Sequence, residues 1–218
     1  MSCYHLVKRI IDVFLSFLGM IVSSPFWIIA IIGIELSDPG PFFYMANRVG
    51  KGNKTFKMFK FRSMYQGKSN ESVFRGEEDR VFPFGKFIRT VKIDELPQLI
   101  NIFIGDMSIV GPRPAAVDQM KITRGGKYIA AGNVQSGLTG PSALYDYIYG
   151  DYVTNEEEYR EKVLPTRLEL DLVYLKKMNL LFDLRIVWWT VVCIISSIFK
   201  RVPRHILATL NQWAEENK

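Results

Sequence analysis

KIDELPQLINIFIGDMSIVGPRP, residues 92–114, sets two adjacent carboxylates, Asp94 and Glu95, before an apolar segment and ends on Arg113 between Pro112 and Pro114. Leu96, Leu99, Ile100 and Phe103 recur at helical spacing and Gly105 follows them. The pattern predicts a helix beginning near Glu95, with Asp94 as its N-cap and Pro97 in a first turn that needs no proline N–H. Capping accounts for Asp94, and the helix dipole accounts for a first-turn Glu95. The same field suits different work, because free amides at a helix start can hold a pyrophosphate or a phosphoryl group in transfer. Two carboxylates would repel such a substrate unless a divalent cation stood between them. Magnesium is the expected ion, being oxygen-seeking and commonly shared between one or two carboxylates and substrate phosphates.

Upstream, Val13 to Ile34 carries no charge and contains Pro25 after Ser23 and Ser24. Roughly 20 apolar residues are enough to span a bilayer as one helix. Proline removes a backbone donor and kinks a helix, however, and basic residues flank the run on both sides: Lys8 and Arg9 before it, Arg48, Lys51, Lys54, Lys57 and Lys60 after it. Both flanks satisfy the positive-inside tendency only if the segment enters and leaves by one face. We therefore expect a re-entrant helix-break-helix over residues 1–36, broken at Ser24-Pro25, and a catalytic domain over 37–218. A cleaved leader fits less well, since Glu35 and Asp38 follow the run instead of a small-residue cleavage site.

The 218 residues are 48% hydrophobic, near the globular average, so most of the chain should lie outside the bilayer. A formal charge of +6 favours anionic partners: nucleic acid, anionic lipid headgroups or phosphate-bearing substrates. No nucleic-acid motif is present, and the basic residues are interleaved with apolar ones beside the hydrophobic run, so nucleic acid is set aside. Cys3 and Cys193 lie far apart without zinc or disulfide spacing, and a reducing cytoplasmic setting is the simpler reading. The only histidines, His5 and His205, sit at the extremities, which disfavours a histidine-activated nucleophile. Catalysis then falls to carboxylates, Lys, Arg, Tyr or a metal.

Phe42 to Ala46 and Thr55 to Arg62 flank the turn-prone Gly50-Lys-Gly-Asn53 and predict a β-hairpin. Its turn lacks the glycine spacing of a Walker phosphate loop. Residues 66–80 are polar and read as a mobile surface loop, while Glu156 to Lys177 is a charged helical pattern interrupted by Pro165. Ile186 to Phe199 is apolar with Trp188 and Trp189 at its head and Lys200, Arg201 and Arg204 behind, too short to span. It suits an interfacial helix or a buried core helix. The fold class is α+β: a mostly helical single domain with a small hairpin, the re-entrant helix and interfacial amphipathic helices.

Several cations can converge on a diphosphate. Arg89 lies about one helical turn before the acids, Lys60 and Arg62 end the hairpin, and Arg113 has its backbone restrained by Pro112 and Pro114, which aims a bidentate guanidinium at little entropic cost. A solvated charge or a local ion pair explains each one taken alone.

With these elements go Lys8-Arg9-Ile-Ile-Asp12, Pro39-Gly-Pro41, Asn47-Arg-Val-Gly50, Lys60-Phe-Arg-Ser-Met64, Gly137-Leu-Thr-Gly140 and Asp183-Leu-Arg-Ile186. In that order, over nearly the whole chain, they resemble the bacterial sugar transferase family, the monotopic phosphoglycosyl transferases. The resemblance implies transfer of a phosphosugar from a UDP-sugar to polyprenol phosphate at the cytoplasmic face of the bacterial inner membrane. It implies Asp94 as nucleophile, Glu95 as its magnesium-binding partner, and Arg89 and Arg113 as substrate contacts ahead of Lys60 and Arg62. Downstream glycosyltransferases and a second copy of the chain are further candidate partners.

Two departures stand out. Lys92-Ile-Asp-Glu95 replaces the frequent Ser-Leu-Asp-Glu, and Gly140-Pro-Ser-Ala-Leu-Tyr-Asp-Tyr147 replaces a segment where sugar contacts are expected. The multi-span amino-terminal region of longer relatives has no counterpart, so the chain reads as a minimal catalytic unit. The competing readings are a non-catalytic membrane-surface scaffold, indifferent to magnesium and to loss of Asp94, and a direct single displacement with Asp94 as base.

Overall fold

The computed structural model describes residues 3–66, 80–153, 155–199 and 201–218. Most of the loop expected over 66–80 therefore lies outside the described residues. In chain order the elements are α1 (Cys3–Ser37), β1 (Phe43–Val49), β2 (Thr55–Phe61), α2 (Pro83–Thr90), α3 (Gln98–Ile104), β3 (Met107–Val110), β4 (Ala115–Ala116), α4 (Met120–Thr123), β5 (Ser136–Thr139), α5 (Pro141–Ile148), α6 (Glu156–Glu158), α7 (Leu164–Lys177), α8 (Leu180–Ile198) and α9 (Arg204–Glu215). The fold is α+β and mostly helical, as expected.

β1 and β2 form the predicted antiparallel hairpin around a short 3-10 turn at Lys51–Asn53, with Phe43 opposite Phe61 and Val49 opposite Thr55. β4 extends it, placing Arg48 opposite Ala116. A second, parallel pair joins β3 to β5, a pairing the sequence did not announce because each strand has only four residues. Pro165 falls in the first turn of α7, directly after a π-helical stretch at Tyr159–Val163, which is the physical form of the interruption in the 156–177 pattern.

α1 is one helix of 35 residues with Pro25 inside it. The expected break at Ser24-Pro25 is thus not a termination: helical bonding continues past a proline that lacks an N–H for the preceding turn, and Trp27 Nε1 donates to Ser23 Oγ across it at 3.0 Å. Asp12, Ser16, Ser23, Ala30 and Ile34 are buried at spacings of three or four residues and their multiples, forming one stripe against the body. The opposite face leaves Ile10, Phe14, Phe17, Ile21, Ile28 and Ile32 exposed.

The motif around Arg9 does the docking. Lys8 Nζ pairs with Asp183 at 2.7 Å, Asp12 accepts from Ser108 Oγ at 2.7 Å and Ile109 N at 3.0 Å, and Arg9 donates to the carbonyls of Ile102 (2.6 Å) and Phe103 (2.8 Å). Those carbonyls end α3, whose last turn leaves acceptors without helical partners and favours a cation. At the other end of α1, Ala30 and Ile34 pack with Phe61, Phe82 and Ile88.

α8 has one side in the core and one side exposed. Phe182, Ile186, Trp189 and Cys193 join the main core, with Trp189 stacked on Trp213 of α9 at 5.5 Å between ring centroids. Leu181, Leu184, Trp188, Val191, Ile195 and Ile198 form an exposed apolar stripe on the other side. By length and composition, α1 and α8 are the two helices among the described residues apolar enough to cross a membrane.

Candidate active site

Asp94 and Glu95 lie in a 3-10 turn, Ile93–Glu95, rather than at a helix N-cap. The cap of α3 is Pro97, and no side chain caps it, so Asp94 does not perform the structural role predicted for it. The turn is entered through Lys92, whose φ of 59° puts a non-glycine residue in the left-handed region beside the two acids. Such backbone strain persists only where surrounding structure enforces it, and it collects at functional sites.

Asp94 is buried and its Oδ1 has no hydrogen-bond partner among the described residues. Its other oxygen lies 3.8 Å from Lys60 Nζ, and the same ammonium donates to Glu95 Oε1 at 3.2 Å. Lys60 thus sits over both acids from β2. The adjacent carboxyls are pushed apart. Burial raises Asp94 above the ordinary carboxylate range, Lys60 opposes that, and the neighbouring charge of Glu95 adds to it. Burial also disfavours ionised Glu95, but Lys60, Lys92 and Arg113 outweigh it and bring that carboxyl down to about 2.

Arg89 ends α2 and donates through Nε to Ser63 Oγ at 2.8 Å, while its charge favours ionisation of Asp94. A Cβ at Gly85 would collide with the Ser63 carbonyl, so glycine lets α2 approach the strand end and carry Arg89 there. Lys92 Nζ lies 4.3 Å from the ring centroid of Tyr147 on α5, so the two segments noted as departures meet at the site.

Arg62 is different. Its buried guanidinium, expected among the substrate contacts, binds Asp38 and the carbonyls of Asp38 and Pro41 and so fastens the segment leaving α1.

Arg113 is carried by a loop locked to β5. The Pro112 carbonyl accepts from Gly137 N at 2.8 Å, Gly111 N donates to the Thr139 carbonyl at 2.9 Å, and a Cβ on Gly111, Gly137 or Gly140 would strike facing backbone. That close approach explains the Gly-Pro-Arg-Pro and Gly-Leu-Thr-Gly motifs together. Arg113 N donates to Asp171 Oδ1 at 3.0 Å and its Nη2 lies 3.2 Å from Asp146 Oδ2. Pro112 is buried and Pro114 partly so, and they act through this backbone.

Sequence reading missed Lys92 as a member of the site, along with Asp146, Asp171 and Arg124, which hold Arg113, and Arg167, which shares Asp146 with it. Arg48 was present in a quoted motif without a role. Among the described residues no group of three or more His, Cys, Asp or Glu side chains gathers as a metal cage. Two carboxylates with one unpartnered oxygen fit an ion completed by substrate phosphates and water, the usual arrangement for magnesium.

A family model described as bacterial sugar transferase matches residues 3–197. The chain is 34% identical over 203 residues to a UDP-N-acetylgalactosamine-undecaprenyl-phosphate N-acetylgalactosaminephosphotransferase of Aeromonas hydrophila, covering 91% of this chain and 46% of that protein. Against a UDP-glucose:undecaprenyl-phosphate glucose-1-phosphate transferase of Escherichia coli (strain K12) it is 35% identical over 192 residues, 86% of this chain and 40% of the relative. A transferase of the latter name from Caulobacter vibrioides is 33% identical over 194 residues, 87% of this chain and 70% of the relative. The chain therefore spans less than half the length of the first two. A family match over most of its residues, the acids and the glycine-locked arginine loop included, places this chain in the bacterial sugar transferase family.

Proposed function

We propose that the protein transfers a phosphosugar from a UDP-sugar to undecaprenyl (polyprenol) phosphate, releasing UMP and forming a polyprenyl diphosphate sugar. The observation that carries this reading is the buried Asp94, with one oxygen unpartnered, ringed by Lys60, Lys92 and Arg89 beside an ionised Glu95. A carboxylate deprived of hydrogen bonds is poorly solvated and so reactive, while the surrounding cations oppose the effect of burial by favouring its ionised form and draw in a diphosphate.

In the first step an Asp94 carboxylate oxygen attacks the sugar-linked phosphorus. The bond to the bridging oxygen breaks and UMP departs with the electron pair, leaving the phosphosugar as an acyl phosphate. In the second, the phosphate oxygen of the lipid attacks the same phosphorus and restores the Asp94 carboxylate. Two displacements replace one difficult one. Lys60, Arg89 and Arg113 balance charge on the transferring group. Glu95 and Asp94 would hold magnesium, which supplies Lewis-acid charge neutralisation when bound.

The membrane supplies the acceptor. Both ends of α1 pack on the same body, through Arg9 and Asp12 at one end and Ala30 and Ile34 at the other, which supports entry and exit at one face over a simple crossing. The exposed stripes of α1 and α8 suit immersion in lipid from the cytoplasmic side, with basic residues at the headgroups.

UMP release from a panel of UDP-sugars, with magnesium and with or without polyprenol phosphate, tests the reading and identifies the sugar. The relatives named for N-acetylgalactosamine and for glucose set the first donors to try. A stoichiometric release without lipid that becomes multiple turnover with it is expected. Release only when both substrates are present would favour direct displacement, and no release from any donor would return the scaffold.

A further inference from the structure

Beside the acids lies a group of guanidinium side chains of which the phosphoryl step uses Arg113 alone. Arg113 Nη2 and Arg167 Nη1 share Asp146 Oδ2, at 3.2 and 4.0 Å, and Tyr159 donates to the other oxygen of that carboxylate at 2.8 Å. Arg124 Nη1 stands 3.8 Å from Asp171 and its Nη2 donates to the Arg113 carbonyl at 3.0 Å. The Nε atoms of Arg124 and Arg167 are buried without a hydrogen-bond acceptor. Arg48 stands on β1 opposite Ala116, three residues after Arg113; its side chain is partly buried, makes no hydrogen bond or ion pair among the described residues, and is repelled by Arg113 and Arg167. Asp118 attracts Arg48 without pairing with it.

Arginine is retained in such a place at a cost, since burying a cation without an acceptor is unfavourable and like charges add to the penalty. Arg113 and Arg167 meet the Asp146 carboxylate and Arg124 meets that of Asp171, while Arg48 adds a fourth guanidinium without a carboxylate of its own. The planar fork of arginine matches tetrahedral phosphate oxygens. We propose that Arg48, with Arg113 and Arg167, forms a binding subsite for a phosphate monoester, separate from the acids that hold the transferred phosphorus.

The proposed reaction has two such groups, the UMP that leaves and the polyprenol phosphate that arrives, and to that extent the inference rests on the proposed function. The surroundings of the subsite lean toward the lipid: the segment carrying Arg124 also exposes Val117, Met120, Ile122 and Ile129, an apolar surface next to the cations.

The test uses the full chain in lipid nanodiscs as wild type, Arg48→Gln and Arg48→Lys. Calorimetric titration with UMP and with inorganic phosphate is set beside the KM for polyprenol phosphate. A tenfold or larger rise in that KM with UMP binding unchanged assigns the acceptor to the subsite. A tenfold or larger loss of UMP affinity with the KM unchanged assigns the leaving nucleotide. In either arm Arg48→Lys, which keeps the charge and loses the fork, recovers part of the effect. Unchanged values in both arms, with the melting temperature intact, overturn the subsite. If Arg48→Gln fails to fold, Arg48→Lys alone is expected to weaken one arm several-fold, and no change overturns the proposal. If the wild type releases no UMP from any donor, the proposed reaction fails, yet the phosphate titration still decides: weaker binding by Arg48→Gln supports the subsite and equal binding removes it.

Discussion

Lys60 Nζ lies 3.2 Å from Glu95 Oε1, a contact that joins the end of the β-hairpin to the turn carrying both acids. The ammonium also lies 3.8 Å from Asp94, so one side chain favours the ionised form of both carboxyls.

Lys60→Met should therefore raise both carboxyl pKa values, since removing a cation disfavours the charged form. The acid limb of the pH–rate profile for UMP release moves to higher pH, and the rate at neutral pH falls roughly tenfold or more, corresponding to about 1.4 kcal/mol of lost stabilisation. Rates across pH with the wild type in parallel check it. An unmoved acid limb would separate Lys60 from the ionisation of the acids.

The two acids should affect stability in opposite directions. Folding raises the Asp94 pKa, so the fold prefers its protonated form and is penalised as pH rises past the ordinary aspartate value. Asp94→Asn removes that penalty, with an expected gain in stability at neutral pH that shrinks toward acid pH. The same variant should lose activity, a stability–function trade-off. Folding lowers Glu95 to about 2, so its contribution is present above the ordinary glutamate value and is lost as pH falls from there toward about 2. Glu95→Gln should then lower neutral-pH stability. Thermal melts of both variants at neutral and acid pH read the two signs.

Arg9→Met should destabilise without touching the acids. It uncovers the Ile102 and Phe103 carbonyls at the end of α3 and detaches α1 there, a loss of about 1–3 kcal/mol for charge-assisted bonds. Denaturation in detergent measures it, and the magnesium dependence of the remaining activity should match that of the wild type.

Trp188 and Trp189 separate membrane from core. Trp188 is 64% exposed and Trp189 is 7% exposed. Trp188→Glu should melt like the wild type in detergent yet float poorly with anionic vesicles, whereas Trp189→Glu should lower the melting temperature by burying a charge against Trp213.

Legibility in the sequence followed the range of each interaction. Gly50-Lys-Gly-Asn53 announced the hairpin because turn chemistry is local, whereas the approach of Lys60 to the acids depends on how the strand and the turn pack together. Asp94 was misassigned as a cap because Pro97 begins α3 and leaves the acids in a tighter turn, a difference of about one turn that propensity does not resolve. Arg62 looked like Lys60 until the chain brought Asp38 and Pro41 back to it. The meeting of Arg48, Arg113, Arg124 and Arg167 joins four separate segments, and only the folded backbone sets it. Arg9 and Asp12 likewise gained roles through α3 and β3, about ninety residues away.

The most direct measurement is the intact mass of acid-quenched enzyme after one turnover with a UDP-sugar and magnesium in the absence of polyprenol phosphate. The account predicts an adduct of one phosphosugar, on the peptide containing Asp94, that forms with UMP, disappears when polyprenol phosphate is added, and is absent from Asp94→Asn. UMP release without any adduct, or an adduct that persists in the folded Asp94→Asn protein, would contradict it.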